Sequence, residues 1–407
     1  MTFNSENLSI VFDLGTTEIK GAVMKNDGTL VQKVTQQNYT TVTDSNRHEQ
    51  DAIFWWKAIC SVSNELCESH KIHSVIVTGQ MQNLLLLNTK GSPLQEVILY
   101  SDQRSIEESE WLLQNSCYLD LVAKTGNEQG PTSLLAKLLW IKKHQPEIFS
   151  KTDCLLPGAS DYVVFRMTGE KATDTTTAST TGLMELVERK WIDEALFNKM
   201  GLQGVQTLLP KLFDGGAKIG ELQKKAATDL GIPAGLPVFL GPGDAGSATI
   251  GAGCGVPGKA YAYIGTSGWV AFSEKQPADP TTGVITLSHP KCDHFIQVAP
   301  LLTAGGNLEW AKSLSNFESY DSLINDAISS PLSNLIFLPY LKGERSPFID
   351  PKARGAFIGL QSTTGQSAMN RAVLEGICFA FRHALTALTD TPVNELILTG
   401  GGTRSKA

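Results

Sequence analysis

No stretch of this 407-residue chain approaches the ~18 consecutive apolar residues of a membrane span. Its first residues carry no basic segment and no small-residue cleavage site, so they do not read as a signal peptide. Charge is sparse, at 18% against about 25% for an ordinary soluble protein, and the formal net charge is −7 with no block of Lys or Arg. That balance argues against a nucleic-acid partner. The seven cysteines, at 60, 67, 117, 154, 254, 292 and 378, form no CxxC pair. They read as small buried hydrophobes in a reducing cytoplasm rather than as disulfides or a thiolate cage. The seven histidines show no HxxxH spacing, and there is no GxSxG nucleophile elbow. Hydrophobic residues make up 42%, which excludes a disordered, collagenous or coiled-coil chain.

What is present alternates. Residues 8–14 (LSIVFDL) read as a buried strand, followed by the turn GTTE, the strand IKGAVM, an Asn-Asp-Gly turn and a third strand near 29–35. Asp51 reads as the N-cap of a helix whose apolar stripe is Ile53, Trp56, Cys60 and Leu66. Strands follow at 74–79 and 84–87, then helices near 134–144 and 158–167. The run TDTTTASTT (173–181) reads as a polar, solvent-facing loop, since Thr and Asp favour turns. After the strand 236–240, the Gly-rich 241–258 reads as a boundary. A second strand–turn–strand unit then opens at 261–272, and a helix from about Asn307, a strand at 335–339, a helix at 367–388 and a strand at 395–400 complete the order. The long helix carries Met369, Val373, Ile377, Phe381, Leu385 and Leu388 as one stripe. At ~100–200 residues per domain, the length fits two α/β domains of related design with a ligand in the cleft between them.

Two patterns are misleading. Gly241–Gly246 fits GxGxxG but lacks the acid about 20 residues on, and its own Asp244 would repel a pyrophosphate. Gly253–Lys259 fits GxxxxGK, but Ala260 stands where a Mg-binding Ser or Thr is required. The turn Gly15-Thr16-Thr17 after Asp13 is more telling, because consecutive amides and hydroxyls can bind phosphate oxygens while the acid holds Mg²⁺ through water. Gly265-Thr266-Ser267-Gly268 repeats that chemistry in the second half. TAGGNLEW (303–310) sets glycines before a helix, where anions are favoured, and LTGGG (398–402) offers bare backbone to a flat base or sugar. Asp244 could accept a hydroxyl proton or cap a helix. Tyr100, Asp102 and Arg104 could bind a polyol or pair as surface ions.

Together these segments resemble the FGGY family of sugar kinases, in the actin/hexokinase-like ATPase superfamily. The resemblance runs through DLGTTEIK (13–20), GQMQNLLLLN (79–88), LYSDQRS (99–105), KLLWIKKHQPEIF (137–149), DYVVFRMTGEKATDTTTAS (161–179), GPGDAG (241–246), YIGTSG (263–268), TAGGNLEW (303–310), GERSPFIDPKARGAFIGL (343–360) and LTGGGTRS (398–405). It is strongest toward the xylulokinase branch. It implies an α/β fold of two ribonuclease-H-like domains with a cleft between them, residues 1–245 with the sugar site and residues 246–407 with the second phosphate loop. Asp244 matches the family's catalytic base, and Asp13 the acid near Mg²⁺, so both are assigned to the metal. Gly15, Thr16, Thr17 and Lys20 match the first phosphate loop, Gly265, Thr266 and Ser267 the second, Gly305 and Gly306 residues near the phosphates, and Gly400, Gly401 and Gly402 the adenosine motif. Substrate contacts are expected from Met81, Gln82, Tyr100, Asp102, Arg104, Thr132 and Asp244.

The implied reaction is phosphorylation of a primary hydroxyl of a small open-chain sugar by MgATP in the cytoplasm, D-xylulose first, with closure of the domains excluding water. Gln82 stands where xylulokinases carry His, and Thr132 where relatives often have an aromatic residue, so gluconate, another ketose or a polyol such as glycerol stays open. So does a homodimer. Family members continue past the adenosine motif, whereas this chain stops at Ala407. A truncated second domain, exposed apolar surface at the strand 395–400, and ATP affinity weakened more than sugar affinity are therefore expected. Two other classes remain: a non-catalytic sugar-binding remnant, which would not bind ATP, and an actin- or chaperone-like ATPase, which would lack the polar group near 80–104.

Overall fold

A computed structural model describes residues 7–44, 46–67, 70–291, 293–350 and 352–405. Cys292, Lys406 and Ala407 lie outside the described residues. Backbone contacts divide the chain into one unit of residues 1–248 with 287–293, and a second of 249–286 with 294–407.

The first unit is built on a six-stranded sheet. Its strands are β1 (Leu8–Leu14), β2 (Glu18–Lys25), β3 (Leu30–Gln37), β4 (Ile72–Gly79), β5 (Ala217–Glu221) and β6 (Pro237–Leu240), in the order β5-β6-β4-β1-β2-β3. β1, β2 and β3 form an antiparallel meander, and β1 and β6 both run parallel to β4. Alternating apolar residues put Ile10, Phe12, Leu14, Ile19 and Val23 inside. Helix α1 (Ala52–Cys67) covers this sheet with Trp55, Trp56, Ile59, Val62 and Leu66. Asp51 caps it by accepting the Ile53 amide at 2.7 Å. Ile53 itself is exposed, because the buried face is rotated toward Trp55 and Ile59.

Gly21 in β2 shows why the packing is close. A Cβ there would sit 2.3 Å from Val62 Cγ1. A second core of the unit gathers around α2 (Leu134–His144), in which residues 134–139 are all buried, Lys137 included. Pro146 does not merely stop α2; it opens the next helix, Pro146–Lys151.

The Thr-rich run is a correction. Residues 172–186 are buried throughout, and Thr175–Ala178 form a short helix, α4, which follows α3 (Ala159–Thr168). The hydroxyls of Ser179, Thr180 and Thr181 donate to carbonyls three residues back, at 2.7, 2.8 and 2.6 Å. Those three hydroxyls are satisfied locally, which makes their burial tolerable, whereas the hydroxyls of Thr175 and Thr176 are buried with no partner among the described residues.

The second unit repeats the scheme with five strands: β7 (Ala260–Ile264), β8 (Gly268–Glu274), β9 (Ile285–Ser288), β10 (Phe295–Leu301) and β11 (Leu396–Thr399), in the order β9-β10-β8-β7-β11. β7 and β8 form an antiparallel hairpin, β10 pairs antiparallel with β8, and β11 lies parallel to β7. The long helix Gln366–Leu388 packs on β8 and β10. Its fully buried line is Val373, Gly376, Ala380, Ala384 and Leu388, and the larger Met369, Ile377, Phe381 and Leu385 lie at its margin.

β11 is an edge strand, and Leu398 on it is 55% exposed, as Phe379 of the long helix is at 59%. Cys378 is exposed too, unlike the buried Cys117, Cys154 and Cys254. Among the described residues no helix is long and apolar enough to cross a membrane.

Candidate active site

The turn of the β1–β2 hairpin is held from outside itself. Gly15 closes it by donating its amide to the Glu18 carbonyl at 3.0 Å. Gln50 donates to the Thr16 carbonyl at 2.8 Å, Asn38 to the Gly15 carbonyl at 2.8 Å, and the Thr16 hydroxyl to Gln80 Oε1 at 3.0 Å. Gln80 in turn donates to Gln50 Oε1 at 2.8 Å, as Trp55 Nε1 does at 3.0 Å. Asn38, Gln50 and Gln80 are all buried. Sequence reasoning passed over Asn38 and Gln50, whose partners lie up to 34 residues away along the chain.

With its carbonyls occupied inward, the turn leaves Thr17 exposed. Asp13, at the end of β1, is raised above its ordinary pKa by burial, against the pull of Lys20 and Lys33. Lys20 Nζ lies 4.0 Å from Asp13 and 3.6 Å from Glu18.

Asp244 stands on a second rigid turn of the same unit. β4 and β6 end side by side, and Thr78 donates its hydroxyl to the Pro242 carbonyl at 2.6 Å. Ser247 reaches the same carbonyl at 2.7 Å. Gly243 has no room for a side chain, since a Cβ would lie 2.3 Å from Met81 Sδ and 2.6 Å from Thr177 Oγ1. Asp244 is the first residue of helix α5 (Asp244–Gly251), so it does not stand before the helix as a cap. The bond given to its carboxylate comes from the next amide, Ala245, at 2.8 Å, and the side chain is open to solvent.

The surrounding protein pushes the Asp244 carboxyl up to about 7, aided by the negative charges of Asp13 and Asp174. Water still reaches this carboxylate, and the repulsion from Asp13 and Asp174 acts on it as well. An acid exposed on a fixed turn, kept ready to take a proton, suits general-base work.

Met81 is buried beside Gly243, and Gln82 follows with φ of +59°, a left-handed conformation that a non-glycine residue seldom adopts without a reason. Its Nε2 donates to the Thr180 carbonyl at 2.9 Å, which anchors the side chain. Tyr100 is 40% exposed and Thr132 half-buried. Asp102 and Arg104 are not a surface pair. Asp102 is fully buried and accepts from the amides of His48 and Arg104 at 2.8 and 3.0 Å and from the Arg104 guanidinium at 2.9 and 2.7 Å. Arg104 also reaches Glu49 at 2.6 Å and lies over the Trp140 ring. Both side chains therefore fix the 99–104 segment, with few polar atoms left for a ligand. Lys137, from α2, donates to the Leu99 carbonyl at 2.6 Å, and burial lowers its pKa to about 7.

In the second unit the turn Gly265–Ser267 is closed by the Gly265 amide on the Ser267 carbonyl at 2.9 Å. Here the glycine pair has a different task from the expected one. The amides of Ala304, Gly305 and Gly306 donate to the carbonyls of Thr266, Gly265 and Thr266 at 2.9, 2.8 and 2.9 Å, so they brace the turn rather than face an anion. A Cβ on Gly305 would come 2.6 Å from the Gly265 carbonyl oxygen. Gly400, with φ of +95°, and Gly402 pack against Ile264, while Gly401 has open space around its Cα.

The chain as a whole has counterparts among known proteins. Profiles of the FGGY family of carbohydrate kinases match at residues 8–251 for the N-terminal domain and 260–407 for the C-terminal domain. The chain belongs to that family. It is 32% identical to the xylulose kinase of Escherichia coli over 98% of this chain and 82% of that one. A xyloylose kinase from Brucella ovis superposes with a TM-score of 0.90 at 29% identity, covering 98% of this chain and 83% of that one. A gluconate kinase from Lactobacillus acidophilus superposes equally well, with a TM-score of 0.90 at 28% identity over 98% and 82% of the two chains. The two-domain α/β architecture is thus that of the family, whose members matched here differ in the sugar named.

Proposed function

We propose that this chain transfers the γ-phosphoryl group of ATP to a primary hydroxyl of a small neutral open-chain sugar, D-xylulose first. The observation that carries this reading is Asp244, an exposed carboxylate on a braced turn beside Met81, with its pKa raised by the surrounding protein and by Asp13 of the first hairpin.

Asp244 accepts the hydroxyl proton as the oxygen attacks phosphorus. The transition state is loose, so placing the hydroxyl matters more than basicity. Met81, Gln82, Tyr100 and Thr132 are assigned to the sugar, while Asp102 and Arg104 hold the segment that presents Tyr100. Asp13, Gly15, Thr16, Thr17 and Lys20 in the first unit, and Gly265, Thr266 and Ser267 in the second, are assigned to the phosphates. Gly305 and Gly306 act by bracing the second turn, and Gly400–Gly402 are assigned to adenosine. Asp13 and Asp244 fit a Mg²⁺ ion arriving with the nucleotide, because each is raised in pKa and they repel one another. The ion supplies neutralisation of phosphoryl charge when bound.

Electrostatics favours a ketose over an aldonate. The charged neighbours that act on Asp244 are Asp13 and Asp174, both acidic, and Arg104 is already paired with two carboxylates. A sugar carboxylate would find the Arg104 guanidinium already taken. The test is ADP release with MgATP against D-xylulose, D-gluconate, glycerol and a blank without sugar. D-Xylulose is expected to raise the rate far above the blank and D-gluconate to raise it less. Equal rates in all four would overturn the proposal.

A further inference from the structure

Asp174 ends the short strand Ala172–Asp174 and is fully buried. One carboxylate oxygen accepts the amides of Thr176 and Thr177 at 2.9 and 3.1 Å, and the other accepts the Thr177 hydroxyl at 2.5 Å. Burial pushes the Asp174 pKa up, while these bonds and the nearby Gly243 backbone pull it down. The helix it caps, α4, has four residues, far too few to persist without its cap.

The threonines of α4 form the seat on which the Asp244 turn rests. A Cβ on Gly243 would meet Thr177 Oγ1 at 2.6 Å, and one on Gly246 would meet Thr176 Cγ2 at 3.1 Å. Both glycines flanking Asp244 thus rest on side chains of the helix that Asp174 organises. A buried carboxylate is costly to keep, and a neutral N-cap such as Ser or Asn would end the helix nearly as well. An acid is called for where two amides and a hydroxyl must all donate to one side chain.

We propose that Asp174 is a positioning residue that sets the place of Asp244, by holding α4 and the Thr177 hydroxyl on which the Gly243–Gly246 turn is seated. This role rests on the reading of Asp244 as the proton acceptor.

Asp174→Asn keeps an oxygen for the Thr176 and Thr177 amides but turns an NH₂ toward the second position. The Thr177 hydroxyl, which donates to that position, must then turn round to accept, and this disturbs the side chain that seats Gly243. The expected result is a folded protein whose kcat falls about 10- to 100-fold, as for a catalytic group displaced by about 1 Å, with the KM for D-xylulose nearly unchanged. Thr177→Val, which removes the hydroxyl between Asp174 and Gly243, should lower kcat in the same way, and Thr177→Ser should restore it. That pair carries the test if Asp174→Asn does not fold. A merely structural Asp174 would lower the melting temperature but leave kcat per folded molecule at the wild-type value, and that result overturns the proposal. Wild-type protein with no sugar-dependent turnover would instead remove the reading of Asp244, and this role with it.

Discussion

Gly243→Ala adds one methyl group where the structure has no space. Its Cβ would lie 2.3 Å from Met81 Sδ, 2.4 Å from Met81 Cγ and 2.6 Å from Thr177 Oγ1. Carbon contacts settle near 3.5–4.0 Å, so about 1 Å or more of movement is required. Thr177 is held by its 2.5 Å bond to Asp174 and resists. Met81 is unbranched and yields, or else the turn bearing Asp244 lifts. Either movement disturbs a residue assigned to the sugar or to proton transfer. Overpacking of this kind costs ~1–3 kcal/mol of stability, and a displacement near 1 Å costs about 10²-fold in rate. Steady-state kinetics beside urea denaturation separate the two effects. A Gly243→Ala protein with wild-type kcat/KM would refute the reasoning, because it would show that the turn needs no fixed place.

Two further predictions follow from buried charge. Burial lowers Lys137 from 10.5 to about 7, so between those values the unfolded chain binds a proton that the folded one does not, and stability rises with pH. Relative to Lys137→Met, the wild type should gain about 2 kcal/mol between pH ~7 and ~9 in urea denaturation, and parallel stabilities would contradict this. Asp244 must be ionised to accept a proton and its pKa is raised, so kcat/KM should fall as pH drops through the neutral range. A profile flat down to the ordinary carboxylate range would count against its role.

The hairpins were legible because alternating apolar residues run straight into Gly-Thr turns, a signal both strong and local. The same local signal singles out Asp13 and Gly15, and the glycine-rich turn after the strand Pro237–Leu240 singles out Asp244. The network that holds the first turn was not legible. Thr16 and Gln80 lie 64 residues apart, and nothing in the sequence pairs them. The run 173–181 misled because Thr and Asp read as solvent-seeking, yet here the hydroxyls of residues 179–181 close on nearby carbonyls and Asp174 gathers two amides and the Thr177 hydroxyl. Gly305 and Gly306 looked like an anion site, since helix-opening glycines often are, but their amides are taken by the neighbouring turn. Lys137 left a signal that went unused: a lysine inside LLAKLLW lies on the buried face of its helix, among Leu134, Leu138 and Ile141.

The central claim is that Asp244 takes the proton of a sugar hydroxyl during phosphoryl transfer. Its most direct test compares wild type and Asp244→Asn in a single assay that counts both ADP and D-xylulose phosphate, with D-xylulose binding measured separately by calorimetry. The account predicts one sugar phosphate per ADP from the wild type, a loss of at least ~10²-fold in the variant, and little change in sugar affinity. Near-normal product formation by Asp244→Asn would contradict it.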